Sequence, residues 1–190
     1  MNFKELKFLI KSDLYRYIGK INFSIFIKNL LTNKCFKINF LYRLCHYFYI
    51  NNNKFMLLVF NILFHLHKDL YSIDFSYETN IGSGLYLGHM IAIVISPYAV
   101  IGKNLNISQS VTIGFSSRGK NKGYPIIGDN VYIGSGAVII GNVKIGNNAA
   151  IGANCVVTKD VPENAVVVGI PAKVISHDGS KDYVIRTDYE

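Results

Sequence analysis

The sequence predicts a mainly β protein, a parallel β-helix solenoid built on a six-residue repeat and preceded by a small α-helical region. Three observations predict it. An aliphatic residue recurs at positions 127, 133, 139, 145, 151 and 157 without a slip. A period of six is neither the 3.6 of a helix nor simple alternation, and it marks a solenoid whose coils have three short flat faces. Second, Gly or a small residue follows most of these aliphatics, as a corner between faces would want. Third, charge is segregated: residues 1–70 hold 11 Lys/Arg against 3 Asp/Glu, and residues 71–190 hold nine of each. The same first third carries 15 of the 25 Phe and Tyr. A chain of 190 residues that is 50% hydrophobic can fill one domain and a small appendage, and disorder is excluded as the default.

The elements follow in order. Phe3, Leu6, Phe8, Leu9 and Ile10 start an amphipathic helix that Gly19 breaks. Asn22 or Ser24 caps a second helix through Leu31. A third runs from about Asn33 to Ile50, Asn51–Asn53 turn, and a fourth runs from Lys54 to about Leu70. Hexads then begin: IGSGLY (81–86), LGHMIA (87–92), IGKNLN (101–106) and ISQSVT (107–112) with phase shifts, and five unbroken ones from 127 to 156. The aliphatic of each points inward and stacks on its equivalent in the next coil. Residues 115–125 (FSSRGKNKGYP) leave the coil as an exit loop carrying Arg118, Lys120 and Lys122. Pro162 and Pro171 close the solenoid. The expected division is a basic, aromatic helical region over 1–70, a β-helix domain over 71–176, and a loose polar tail over 177–190.

Composition excludes several classes. Cys35, Cys45 and Cys155 are too few and too scattered for a disulfide framework or a CxxC zinc site, and they suit a reducing cytoplasm. The start lacks the apolar core of a secretory signal. The most apolar run, Phe55 to Leu66, is too short to span a bilayer.

At this point the chain resembles a family. The hexads, the exit loop and the closing VVTKDVPENAVVVGIPAKVI are similar to the hexapeptide-repeat acyltransferases, whose fold is a left-handed parallel β-helix. Within them, Asp74 and His89 in IDFSYETNIGSGLYLGHM match the serine acetyltransferase-like group. The resemblance implies acetyl transfer from acetyl-CoA to a hydroxyl. An alcohol needs a base at the moment of attack, and imidazole titrates near neutral pH. His89 is the only His between residues 71 and 175. Asp74 lies 15 residues before it, three short of a full coil, so the two can meet between coils, where a carboxylate would orient the ring.

The family's donor groove maps onto Ser135, Ala153, Thr158, Lys159 and Lys173. Small side chains there let the pantetheine arm reach the backbone, and the lysines suit phosphates. A backbone N–H near Gly114 is a candidate oxyanion donor. The family also implies a homotrimer, because its CoA groove lies between subunits, and no metal.

The chain departs from the serine enzymes at the acceptor side. Gly88 stands where they place an Asp beside the catalytic His. Gly123 and Tyr124 stand where they place an Arg-His pair. An amino-acid acceptor needs a cation and an anion, and both charges are gone. The short basic, aromatic N-terminal region resembles that of surface-polysaccharide O-acetyltransferases. Such a region suits an anionic membrane surface at the inner face of the membrane, or a helical cap on the β-helix, or both. The expected function is therefore O-acetylation of a sugar hydroxyl in a capsule, exopolysaccharide or O-antigen precursor. Serine O-acetylation in cysteine biosynthesis is the first alternative, and a non-catalytic β-helix scaffold is the second. A carbonic-anhydrase-like site would need three histidines in the repeats. A nucleotidyltransferase would need a Gly-rich phosphate loop, and Gly19 is the one glycine before residue 71. No nucleic-acid motif is present.

Overall fold

A computed structural model describes residues 1–189. Four helices come first: α1 (Phe3–Ile18), α2 (Phe23–Thr32), α3 (Lys34–Ile50) and α4 (Lys54–Leu70). Each begins on an asparagine. Asn2, Asn22, Asn33 and Asn53 accept a hydrogen bond from the backbone N–H of the third helical residue, and Glu5 returns the bond to Asn2 in a capping box. Such caps hold each start by about 1 kcal/mol. Gly19, in the left-handed region with φ 73°, ends α1 as the sequence predicts.

From Asp74 the chain winds as a left-handed parallel β-helix. The first face stacks Asp74–Phe75, Val94–Ile95, Thr112–Gly114, Val138–Ile140 and Val156–Val157. The second stacks Asn80–Ile81, Val100–Ile101, Ile126–Ile127 and Lys144–Ile145. The third stacks Tyr86–Leu87, Asn106–Ile107, Tyr132–Ile133, Ala150–Ile151 and Val166–Val168, and closes on an antiparallel Lys173–Ser176. The predicted inward ladder is present: Ile81, Ile101, Ile127 and Ile145 are buried and in register.

The glycines after the aliphatics have a different reason from the one predicted. Left-handed backbone falls two residues later, at Asn104, Asn130, Asn148 and Asn164, with φ near 58°. Gly102 is needed because coils touch there: a Cβ would stand 2.7 Å from the carbonyl carbon of Gly128. The left-handed asparagines form a ladder along one edge. The Nδ2 of Asn104 donates to Asn130, Asn130 to Asn148, and Asn148 to Asn164, at 2.8, 2.9 and 3.1 Å.

The helices cap the open end of the prism. The first coil has backbone groups that no earlier coil can satisfy, and polar side chains of α1 and α3 take them. Arg43 donates to the carbonyls of Ile81 and Gly82 at 2.6 Å each. Asp13 accepts from the Leu85 N–H at 2.8 Å, and Ser12 from Gly84 at 3.0 Å. Tyr42 donates to Thr79 and Asn39 to Leu85. Asp13 and Arg43 pair in a buried two-pronged bridge at 2.8 and 3.0 Å. Burial raises the Asp13 pKa against the opposing pull of the Arg43 guanidinium.

The C-terminal residues are not a loose tail. The Ser180 N–H donates to the Asn148 carbonyl at 2.8 Å, and Asn106 donates to the Tyr183 carbonyl at 2.7 Å. Tyr183 stacks on Tyr132, and the Ile185 carbonyl accepts from Arg16. The asparagine edge and third face leave donors and acceptors that a polar segment can satisfy, so residues 177–189 strap back to α1.

Candidate active site

The corner from the third face to the first carries His89. Ile107, Ile133 and Ile151 are in register, so Gln109, Ser135 and Ala153 follow in line along one edge, with Ile91 at the head of the line and His89 two residues before it. Cross-coil bonds fix that line: the Gly136 N–H donates to the Gln109 carbonyl at 3.0 Å, and the Asn154 N–H to the Ser135 carbonyl at 2.8 Å. Neighbouring coils lie about 4.8 Å apart. Two steps from Gln109 to Ala153 therefore span about 10 Å.

The His89 corner is longer than its successors. Register pairs Phe75 with Ile95 but Ile95 with Ile113, so this first turn holds two extra residues. Those residues bulge. Met90 stays in the core, Ala92 turns through φ 52°, and His89 is exposed. The Ala92 N–H donates to Tyr71 and the Ser110 N–H to Ile91, which pins the bulge on both sides. The ring of His89 makes no hydrogen bond among the described residues.

The structure does not join Asp74 to His89. Asp74 opens the first face, its side chain is 80% exposed, and it lies 3.5 Å from the Lys68 ammonium.

Thr158 and Lys159 lie on the other edge of the first face. With Asp160, Pro171, Ala172 and Lys173 they line a cleft of about 200 Å³ at the closing end. Asp160 accepts from the Lys144 N–H at 2.8 Å, and Lys159 and Lys173 outnumber its one carboxylate in the cleft lining. The exit loop leaves from this same edge. Ser116 and Gly123 exchange backbone bonds of 3.1 Å across its neck. Asn121 bonds to Asn142 and, through Nδ2, to the Thr158 carbonyl at 2.6 Å, so the loop is tied down over the first face. Arg118, Lys120 and Lys122 are exposed on it. Gly114 closes its strand and accepts from Gly141.

The acceptor-side positions differ from one another. A Cβ on Gly88 would meet nothing closer than 3.7 Å, so a side chain fits there. Gly123 has φ 139° and a Cβ would stand 2.9 Å from Asn142, so its identity is a backbone requirement. Tyr124 packs between Phe115 and Tyr98, with ring centroids 4.7 and 5.0 Å away. Sequence reasoning missed that aromatic wall and Gln109. Laying ISQSVT in register with IGSGAV across the loop would have found Gln109. Among the described residues no cluster of His, Cys, Asp or Glu could hold a metal.

A hexad-built prism with a cationic cleft and an exposed corner histidine is the architecture of a hexapeptide-repeat transferase. The family model for bacterial transferase hexapeptide (six repeats) matches residues 124–159. The chain belongs to the serine acetyltransferase-like group of the hexapeptide-repeat acyltransferases. It is 37% identical to a serine acetyltransferase of Synechococcus elongatus over 118 residues, 62% of this chain and 48% of that one. It is 44% identical to that of Staphylococcus aureus over 99 residues, covering 52% and 46%. The chain thus spans about half the length of the curated relatives it matches. Among solved structures, serine acetyltransferase of Neisseria gonorrhoeae superposes with a TM-score of 0.76 at 32% identity, covering 91% of this chain and 66% of that one. The Brucella abortus enzyme in complex with coenzyme A gives 0.78 at 29%, covering 93% and 70%.

Proposed function

We propose that this chain is an acetyl-CoA-dependent O-acetyltransferase that works as a homotrimer in the cytoplasm. The exposed His89 corner at the head of the edge that carries Ser135 and Ala153 supports the reading, since it puts a base beside one end of a line of small residues. His89 takes the acceptor's hydroxyl proton as the new O–C bond forms, and the imidazolium returns it to the sulfur as the thioester C–S bond breaks. Ser135 and Ala153 leave room for the pantetheine arm. Lys159 and Lys173, beside Thr158, hold phosphate charge. Asp74 would orient His89 once a neighbouring subunit or a bound acceptor draws the bulge inward. A backbone N–H near Gly114 is the candidate oxyanion donor.

The relatives and solved neighbours above all bear the name serine acetyltransferase, which favours serine over a sugar as the acceptor. A sugar hydroxyl is the second reading. Its specific support is the uncharged acceptor side, Gly88, Gly123 and Tyr124, with the aromatic wall of Phe115, Tyr124 and Tyr98 that could stack on a pyranose ring. The deciding experiment measures CoA release from acetyl-CoA with L-serine and with nucleotide sugars or oligosaccharides. Release with serine at micromolar-to-millimolar KM supports the first reading. Release with sugars alone supports the second. Absence of both, together with no acetyl-CoA binding by calorimetry, leaves a scaffold.

A further inference from the structure

The outer side of α4 is bare. Phe60 and Phe64 turn inward, Phe60 stacking on Phe48 and Phe64 meeting Phe75 edge to face. Phe55, Leu58, Val59, Ile62, Leu66 and Leu70 turn outward in helical phase, and Phe55, Leu58 and Leu70 are 74%, 61% and 73% exposed. A soluble surface seldom leaves so long an apolar stripe uncovered. α4 has 17 residues, about 25 Å of helix. Among the described residues no helix is long and apolar enough to cross a membrane, so α4 can meet a bilayer only by lying in its plane.

The charge around the stripe selects the occupant. From residue 34 to 70 the one acid is Asp69, against Lys34, Lys37, Lys54, Lys68 and the buried Arg43. Lys68 is engaged with Asp74. Lys54 begins α4, and Lys34 stands at the opposite end, its ammonium 5.3 Å from the centroid of the Tyr71 ring. Two copies of this face laid antiparallel would set Lys54 against Lys34 at both ends, a like-charge clash. Two copies laid parallel would clash in the same way. A bilayer offers what both ends want: acyl chains for the stripe and negative headgroups for the lysines. The same pairing recurs nearby, where Lys7 and Lys11 rim a groove of about 490 Å³ floored by Ile10, Leu14, Phe26 and Phe40.

We propose that the outer face of α4 is a docking surface for an anionic lipid bilayer. Apolar burial and lysine–headgroup attraction act together there, and neither is strong enough alone. The surface is independent of the acetyl-transfer reading, because none of its residues lines the first face.

The test is co-sedimentation of the full chain with vesicles of phosphatidylcholine alone or with a third phosphatidylglycerol. Binding should be at least about tenfold tighter to the anionic vesicles and should weaken in 0.5 M salt. The pair Ile62→Asp and Leu66→Asp should lose at least about tenfold of it, as should Lys34→Glu with Lys54→Glu. These sites are exposed, so the melting temperature and acetyl-CoA binding should stay at wild-type values. Equal binding to neutral and anionic vesicles would overturn the proposal, as would no binding to either. If Ile62→Asp with Leu66→Asp instead lowers the solution mass by a whole-number factor, the stripe is an interface between copies.

Discussion

His89 stands on a corner two residues longer than those stacked after it, and the surplus lifts its ring clear of the prism. Asp74 remains on the flat face with Lys68, an exposed pair worth less than about 1 kcal/mol. Asp74→Asn should therefore leave the melting temperature within a degree or two. If its carboxylate orients His89 in the assembled enzyme, kcat should fall about tenfold or more and the acidic limb of the pH–rate profile should move. An unchanged rate and profile would reduce Asp74 to a surface partner of Lys68. The distinction was not legible in the sequence. Spacing alone counted Asp74 as three residues short of a coil; the phase shift between the hexads at 87 and 101 was visible, but not where its extra residues would put His89. The line of Ser135 and Ala153 was legible, because hexads count out register without needing coordinates.

Among the elements, the helical cap and the C-terminal strap do similar work at different places. Both supply polar groups to backbone or asparagine edges that the solenoid leaves open. Arg43 serves two coil carbonyls and Asp13 at once from a fully buried position. Arg43→Met should cost about 3–5 kcal/mol, because it strands the Asp13 carboxylate and two carbonyls without water. Chemical denaturation should show it as a lower midpoint. A loss under about 1 kcal/mol would mean that water reaches this cluster. The helix boundaries were readable from Asn22, Asn33, Lys54 and Gly19, since capping is local chemistry. Nothing local told that Ser12, Asp13, Asn39 and Arg43 face a coil edge rather than solvent. Their partners are mostly backbone atoms dozens of residues away. The strap was misjudged for the same reason: its ligands are the stacked asparagines, which exist as a ladder only after coiling.

The whole molecule is a prism closed at one end by a cap that holds, beside the Asp13–Arg43 bridge, buried thiol and phenol groups that must stay neutral. Burial pushes the Cys45 thiol up to about 12 from 9.0 and the Tyr42 phenol up to about 12 from 10.0, and it holds Tyr17 well above its usual range. Unfolded, these groups ionise at their ordinary values; folded, they stay protonated longer. Their contribution is therefore whole below pH 9 and is lost as pH rises toward about 12. Thermal melts by circular dichroism should hold level to pH 9, fall beyond it, and steepen past pH 10, losing about 3–4 kcal/mol by pH 11. A melting temperature flat to pH 11 would mean that the cap opens to solvent without unfolding the prism. Fold class was legible at this scale because a repeat states its architecture many times over. The acceptor was not, because single residues would decide it and no repeat restates them.

The claim beneath the rest is that His89 is the base for acetyl transfer at one end of a CoA groove. The most direct measurement is steady-state CoA release at saturating acetyl-CoA with the best acceptor, for the wild type and for His89→Ala. The exposed ring makes no bond whose loss could unfold the corner, so melting temperature and acetyl-CoA affinity should match in the two. The rate should fall by at least about a hundredfold, the scale of losing a general base. A variant that keeps its rate within about tenfold would contradict the claim and move the base elsewhere.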